Sequence, residues 1–297
     1  MYDIPENRKI RVIINTDAKN EVDDQFAIVQ ALLTPSFDLK GLIAAHFGNE
    51  KSAHSMLDSR EEIDRLLGMM HLPAPVRVEN GAEHALPDET TAVPSPGAEL
   101  IISEALSDDP RPLYVAFLGP LTDMASALLM EPAIAERNIT VIWIGGRDWP
   151  NGGWEYNLQN DVNAANVVFG SEVNVWQVPR NVYRMMPVTH AELKEKIWPH
   201  GKLGRYLAEN VWDFNNAAAS RPIEFRILGD SPAIGLMLFG DCGAYDMIPA
   251  PRFNEDMTYD HNAGNRPIRV YRTMDSRFIL EDLYAKLHQA HAAGVTE

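Results

Sequence analysis

Cysteine is nearly absent. Cys242 stands alone among 297 residues, which excludes an intramolecular disulfide and makes a reducing, cytoplasmic setting the expectation. Basic residues are scarce too, with 26 Lys and Arg against 42 Asp and Glu and a formal net charge of −16. Capture of nucleic-acid phosphates or an acidic membrane surface requires clustered positive charge, so neither partner is expected, whereas a metal ion or a small neutral or cationic ligand suits this balance. No segment approaches the roughly 20 apolar residues of a membrane span, and MYDIPENRKI lacks the apolar core of a signal peptide. No Ser/Gly-rich linker or shift in composition divides the chain, so residues 1–297 read as a single domain.

Short apolar, β-rich runs alternate with segments of helical period, which predicts parallel strands joined by crossover helices. The strand candidates are Ile10 to Ile14, Leu39 to Ala45, Val76 to Val78, Leu113 to Leu118, Thr140 to Ile144 and Val173 to Val178. Helix candidates between them are Asp23 to Leu33, Ser52 to Leu67, Gly97 to Leu106, Leu121 to Leu129 and Asn163 to Phe169. The last third reads as appended helices, at Ala191 to Ile197, Leu203 to Asn210 and Phe278 to His291, around a Pro- and Asn-rich stretch from Pro249 to Pro267. The fold class is therefore α/β, a mostly parallel central sheet flanked by helices with extra helices in the C-terminal third. Ligands of such sheets bind at the carboxyl ends of the strands.

The strongest chemical feature sits at such an end. In RVIINTDAKNEVDDQFAIVQALL an apolar strand runs directly into Asp17, Glu21, Asp23 and Asp24 and then into a helix. Four acids in one turn repel one another unless a cation compensates them, and hard divalent ions prefer such oxygen ligands. Glu21, Asp23 and Asp24 also suit a helix N-terminus through its dipole, but that account leaves the acid at the strand end unexplained. A phosphate-transferring enzyme of the haloacid-dehalogenase kind would need a nucleophilic Asp where Asn15 stands. Glycine-rich loops that cradle nucleotide phosphates are missing after this strand.

The acid turn resembles that of the inosine–uridine-type nucleoside hydrolases, whose hallmark is a strand followed by Asp-x-Asp-Pro-Gly-x-Asp-Asp. Two departures are plain: Asn15 replaces the first acid, and the spacer Ala-Lys-Asn-Glu-Val is two residues longer than usual. The resemblance continues in order along the chain. LIAAHFGN (42–49) is similar to the family's strand ending in Gly-Asn, LGPLTDMA (118–125) to its Gly-Pro-Leu-Thr-Asn segment, and IWIGG with EYNLQNDVNAANVVF to its Gly-Gly and Glu-Phe-Asn segments. AYDMIP resembles the His-Asp-Pro region and MDSRFILEDLYAKL the closing helix.

The resemblance implies an N-ribohydrolase that uses Ca²⁺. Asp17, Asp24 and Asp246 would ligate the ion with their carboxylates and Leu118 with its carbonyl; Asp23, Asn49, Glu155 and Asn157 would hold ribose hydroxyls; and Asp17 would take a proton from a metal-bound water. Tyr245 stands where the family carries a His beside the last calcium aspartate, and a phenol is the poorer proton donor near neutrality. Trp149, Trp154, His46 and His84 are further candidates on the leaving-group side, although a loop Trp is more often simply packed and a lone His more often structural or exposed. The implied partner is a small nucleoside or riboside, and self-association is expected because the family is commonly oligomeric. Two other readings stay open: the same scaffold acting on another sugar-linked substrate, and a catalytically silent calcium- or sugar-binding module.

Overall fold

In IRVIINT every residue after Ile10 is buried, the pattern of a strand covered on both faces. This is the central strand of a computed structural model that describes residues 4–218 and 222–296. In chain order the elements are β1 (Ile10–Thr16), α1 (Asp24–Leu32), β2 (Phe37–Ala44), α2 (Ser55–Leu67), β3 (Val78–Asn80) and α3 (Pro96–Leu106). They continue with β4 (Leu113–Phe117), α4 (Thr122–Met130), β5 (Ile139–Ile144), α5 (Tyr156–Asn160), α6 (Val162–Gly170) and β6 (Asn174–Val178). The last third holds α7 (Arg180–Tyr183), β7 (Pro187–Thr189), α8 (His190–Glu192), α9 (Gly201–Ala218), β8 (Phe225–Ile227) and α10 (Ser231–Leu238). It closes with β9 (Tyr245–Pro249), β10 (Arg252–Phe253), β11 (Tyr259–Asp260), β12 (Pro267–Tyr271) and α11 (Ser276–Ala292).

One eight-stranded sheet, in the order β3-β2-β1-β4-β5-β6-β12-β9, organises these elements. Its neighbouring pairs are parallel except for β9, which lies antiparallel to β12 at one edge. Alternate residues of β1 feed separate cores. Val12 and Ile14 join Phe26 of α1, Ile234 of α10 and Ile279 of α11 on one face, while Ile13 joins Leu100 of α3, Met124 of α4 and Val168 of α6 on the other. The expected α/β architecture with a mostly parallel sheet is therefore the observed one. No helix among the described residues is long and apolar enough to cross a membrane.

The differences have local causes. The first strand continues to Thr16 because Asn15 pairs with Ile43 of β2 and Phe117 of β4, so two polar residues extend the apolar run. The helix expected from Ser52 begins at Ser55, and that from Asn163 is preceded by the short α5, with Asp161 accepting from the Ala164 amide at the junction. Strand Val76 to Val78 is displaced to Val78–Asn80. The last third is not only helical: β12 and β9 complete the sheet. Sequence patterning missed β9 because, as an edge strand, it has no fully buried residue, and missed β12 because Arg269 interrupts its apolar run.

Candidate active site

Adjacent carboxyl ends define the site. Asn15 pairs with Phe117 and Phe117 with Trp143, so the residues that follow β1, β4 and β5 emerge side by side. A polar cavity opens there, lined among others by Asp17, Asp23, Asp24, Leu118, Asn157 and Asp230. Two helices aim their N-termini at it: Asp23 is the residue before α1 and Asp230 the residue before α10, and neither side chain caps its own helix. The Asp23 carboxylate instead accepts from the Gly229 amide at 2.9 Å, tying the two helix starts together, while Asp24 accepts from the Thr16 hydroxyl at 2.5 Å.

Oxygens of Asp23, Asp24 and Asp230 lie within 4.8 Å of one another, and one carboxylate oxygen of Asp17 is buried with no hydrogen-bond partner. Burial, followed by repulsion from Asp24 and Asp23, drives the Asp17 pKa well above the ordinary carboxylate range. Burial and then Asp23, Asp24 and Asp17 do the same to Asp230. Asp23 is pushed up to about 8 by burial and then by Glu21 and Asp24. Asp24 is pushed up to about 6 by burial, against the hydrogen bonds it receives from Thr16 and Asp230. Such a set of all-oxygen donors, one of them unpaired, fits a hard divalent cation, which would restore all four groups to their charged forms.

The extended turn has its own anchors. Lys51 donates to the Asn20 side chain at 2.5 Å, Lys19 pairs with buried Glu62 at 3.2 Å, Glu21 pairs with Arg226, and the Gln25 amide donates to the Ala18 carbonyl at 2.7 Å. The two added residues thus lie in a braced loop that carries Glu21 to the cavity wall.

Of the other sequence candidates, Glu155 and Asn157 line the cavity but are already engaged. Glu155 accepts from the Gly146 and Leu158 amides at 2.9 and 3.0 Å and from the Tyr183 hydroxyl at 3.1 Å. Asn157 donates to the Leu118 and Ile144 carbonyls at 2.7 and 2.8 Å, which leaves its side-chain oxygen for a ligand. Tyr183 is a neighbour that the sequence did not single out.

Asn49, Tyr245 and Asp246 are not brought to the cavity. Asn49 is an exposed loop residue. Asp246 sits on edge strand β9, more than half exposed and paired with Arg272 at 2.8 Å, and Tyr245 packs on Tyr271 beneath the Arg269 guanidinium. The acid that joins Asp23 and Asp24 at the cavity is instead Asp230. The signal was present in Gly-Asp-Ser-Pro-Ala, an acid two residues before a proline that opens an apolar helix. The residue before Asp230 is Gly229.

Trp149 donates to Gln177 at 2.9 Å and packs edge-on against Tyr259. His46 is buried, held near Thr122 at 2.8 Å, with its pKa pushed down to about 4 by burial; His84 is exposed. Trp154 is half exposed and lines a cleft next to the acid cavity.

Residues 12–262 match the family described as inosine-uridine preferring nucleoside hydrolase. Among curated relatives, a probable uridine nucleosidase 2 of Oryza sativa subsp. japonica is 26% identical over 223 residues, 67% of this chain and 65% of the rice protein. A pyrimidine-specific ribonucleoside hydrolase of Citrobacter koseri is 26% identical over 213 residues, 65% of this chain and 67% of its own length. The chain thus spans about two thirds of the curated relatives it matches. Among solved structures, a purine-preferring ribonucleoside hydrolase from Gardnerella vaginalis superposes with a TM-score of 0.75 at 20% identity, covering 95% of this chain and 99% of that one. An inosine-guanosine nucleoside hydrolase gives 0.74 at 20% identity, covering 94% and 99%. The match over residues 12–262 and the shared fold carry one conclusion: this chain belongs to the inosine-uridine preferring nucleoside hydrolase family.

Proposed function

We propose that the protein hydrolyses the N-glycosidic bond of ribonucleosides or close analogues, with Asp17 as the general base. The observation that carries this reading is the buried, unpaired carboxylate oxygen of Asp17, set among Asp23, Asp24 and Asp230 at the strand ends. Asp17, Asp24 and Asp230 would hold a divalent cation such as Ca²⁺, with the Leu118 carbonyl as a fourth protein oxygen. When bound, the cation supplies positive charge that makes water at the site more acidic and attracts sugar hydroxyls. The free oxygen of Asp17 accepts the proton of the attacking water. Asp23 and the side-chain oxygen of Asn157 accept hydrogen bonds from the ribose and stabilise its developing positive charge as the bond to the base lengthens. Glu155, fixed by three donors, holds Tyr183 and the start of α5 in place.

A second reading, the same chemistry on another sugar-linked substrate, is favoured by the longer turn that brings Glu21 to the cavity wall. Sugar release measured across ribonucleosides, deoxyribonucleosides and simple glycosides, with and without chelator, tests both. Release from ribonucleosides that stops on chelation and returns with Ca²⁺ is the expected result, and cleavage of glycosides alone would establish the second reading instead. Cytoplasmic placement is proposed on the single Cys242, which is buried, and a homo-oligomer on the resemblance; light scattering tests the latter.

A further inference from the structure

Beside the acid cavity, and sharing Asp23, Tyr156 and Tyr183 with it, lies a second cleft of about 380 Å³. Its wall adds positive charge to Glu21 and Asp23, the two acids it shares with that cavity. Arg180, Arg184 and Arg226 all line it, in a chain where acids outnumber bases by 42 to 26. Arg226 is committed to Glu21 and lies 4.3 Å over the Phe214 ring. The side chains of Arg180 and Arg184 have no hydrogen bond or carboxylate partner among the described residues. Arg180 comes from the first turn after β6 and Arg184 from the end of α7, so the strand order that builds the acid cavity also sets these two charges in the cleft beside it. Two large aromatic side chains face the same cleft, Trp154 at 50% and Phe225 at 47% exposure, apolar surfaces that a planar ring could cover.

We infer that the substrate carries an anionic oxygen group, a carboxylate or a phosphate, which Arg180 and Arg184 recognise in this cleft. This rests on the N-ribohydrolase reading for where the ribose lies. A neutral nucleoside makes no use of two unpaired guanidinium groups beside its site, whereas a substrate bearing a negative group would be repelled by Asp23 and Glu21 without them. Guanidinium groups bind carboxylate and phosphate through paired, charge-assisted hydrogen bonds, and they stay charged at any working pH. The shared chemistry has two sources: a carboxylate on the base, or a phosphate on the ribose.

The probes are uridine, orotidine, which adds a carboxylate to the base, and uridine 5′-monophosphate, which adds a phosphate to the sugar. With Ca²⁺ present, kcat/KM for one of the two anionic probes should exceed that for uridine by about 10-fold or more, the scale of charge-assisted hydrogen bonds. The Arg180→Gln, Arg184→Gln double variant should bring that ratio toward one. Calorimetric binding of orotate and of ribose 5-phosphate is measured alongside, because it reads the anion site whether or not the bond is cleaved. Preference for orotidine puts the anion on the leaving group, and preference for the monophosphate puts it on the sugar. If uridine is cleaved at least as well as both anionic probes and neither anion's binding responds to the substitutions, the inference is overturned while the hydrolase reading stands. If no riboside is cleaved but anion binding is lost in the double variant, the hydrolase reading fails and the anion site survives.

Discussion

Gly119 stands directly against the carboxyl group of Asp17: a Cβ at this glycine would lie 2.8 Å from the Asp17 Cγ and 2.9 Å from one of its oxygens. The carbonyl of Gly119 is held by the Trp143 indole at 3.1 Å, so the backbone there cannot retreat without breaking a buried hydrogen bond. The absence of a side chain after β4 is thus a condition for the position of the proposed base.

Gly119→Ala should therefore displace Asp17 rather than unfold the protein. A misplacement of about 1 Å at a reacting group costs on the order of 10²-fold in rate. The expected result is a loss of that size in kcat/KM on uridine or inosine, with circular dichroism unchanged. Normal turnover in this variant would argue against Asp17 as the base.

Three aspartate substitutions separate the proposed roles. Asp17→Asn removes a base and should lower kcat by roughly 10² or more. Asp230→Asn should first weaken cation binding, seen as a rise in the Ca²⁺ concentration that restores activity after chelation. Asp246→Asn should alter neither quantity by more than about twofold, since an exposed ion pair such as that with Arg272 contributes about 1 kcal/mol or less to stability. Loss of Ca²⁺ dependence in Asp246→Asn would return that residue to the site.

The acid cluster also makes stability depend on pH. Asp23 and Asp24 have folded-state pKa values pushed up to about 8 and about 6, and those of Asp17 and Asp230 are raised as well. In the metal-free protein the folded state therefore holds more protons than the unfolded state between about pH 4 and pH 8. Stability falls as pH rises through that window. A cation binds the charged form and opposes the loss, by about 2.7 kcal/mol at a concentration of 100 Kd. The Tm of chelated protein should drop from pH 5.5 to pH 8, and the Tm gain from Ca²⁺ should be larger at pH 8. An equal gain at both values would mean that the ion binds elsewhere.

Much of this was legible from residue order. β4, β5 and the second half of β2 are nearly continuous apolar runs, largely buried, and such runs announce themselves. The cluster Asp17, Asp23 and Asp24 was readable because charge crowding in a single turn is a local property. Asp230 was not found, because its partners lie more than 200 residues earlier and meet it only when α10 packs beside α1. The motif that drew attention to Asp246 led instead to an exposed edge strand, where an acid is satisfied by Arg272. Arg180 and Arg184 were illegible for the same reason as Asp230: a cleft is a property of several elements at once.

Ribose recognition should depend on few atoms. Glu155 already accepts from three donors and the Asn157 NH2 group gives both its hydrogens to carbonyls, so hydroxyl contacts fall chiefly to Asp23, the Asn157 oxygen and the cation. Removal of one hydroxyl then leaves buried acceptors unpaired, a loss that reaches factors of about 10⁴ in sites of this kind. Uridine should exceed 2′-deoxyuridine in kcat/KM by at least about 10². Equal values would contradict the proposed diol site.

The sequence puts Tyr245 where the family carries its leaving-group histidine, and the fold does not bring it to the site. Tyr245 is packed away on β9, and the residue beside Asp230 is Gly229, which has no side chain to donate a proton. Tyr183 does line the cavity, but burial and then the adjacent Glu155 charge raise its pKa far above that of a free phenol, so it is a weak acid there, with its hydrogen already given to Glu155. Bond cleavage should then rely on the intrinsic stability of the departing anion. A p-nitrophenyl riboside, which leaves without protonation, should be cleaved with a larger kcat than uridine, and Tyr183→Phe should change the ratio of the two rates by less than about threefold. General-acid catalysis is worth about 10² to 10⁴, so a Tyr183→Phe variant that slows uridine by that amount while sparing the nitrophenyl riboside would identify Tyr183 as the missing acid.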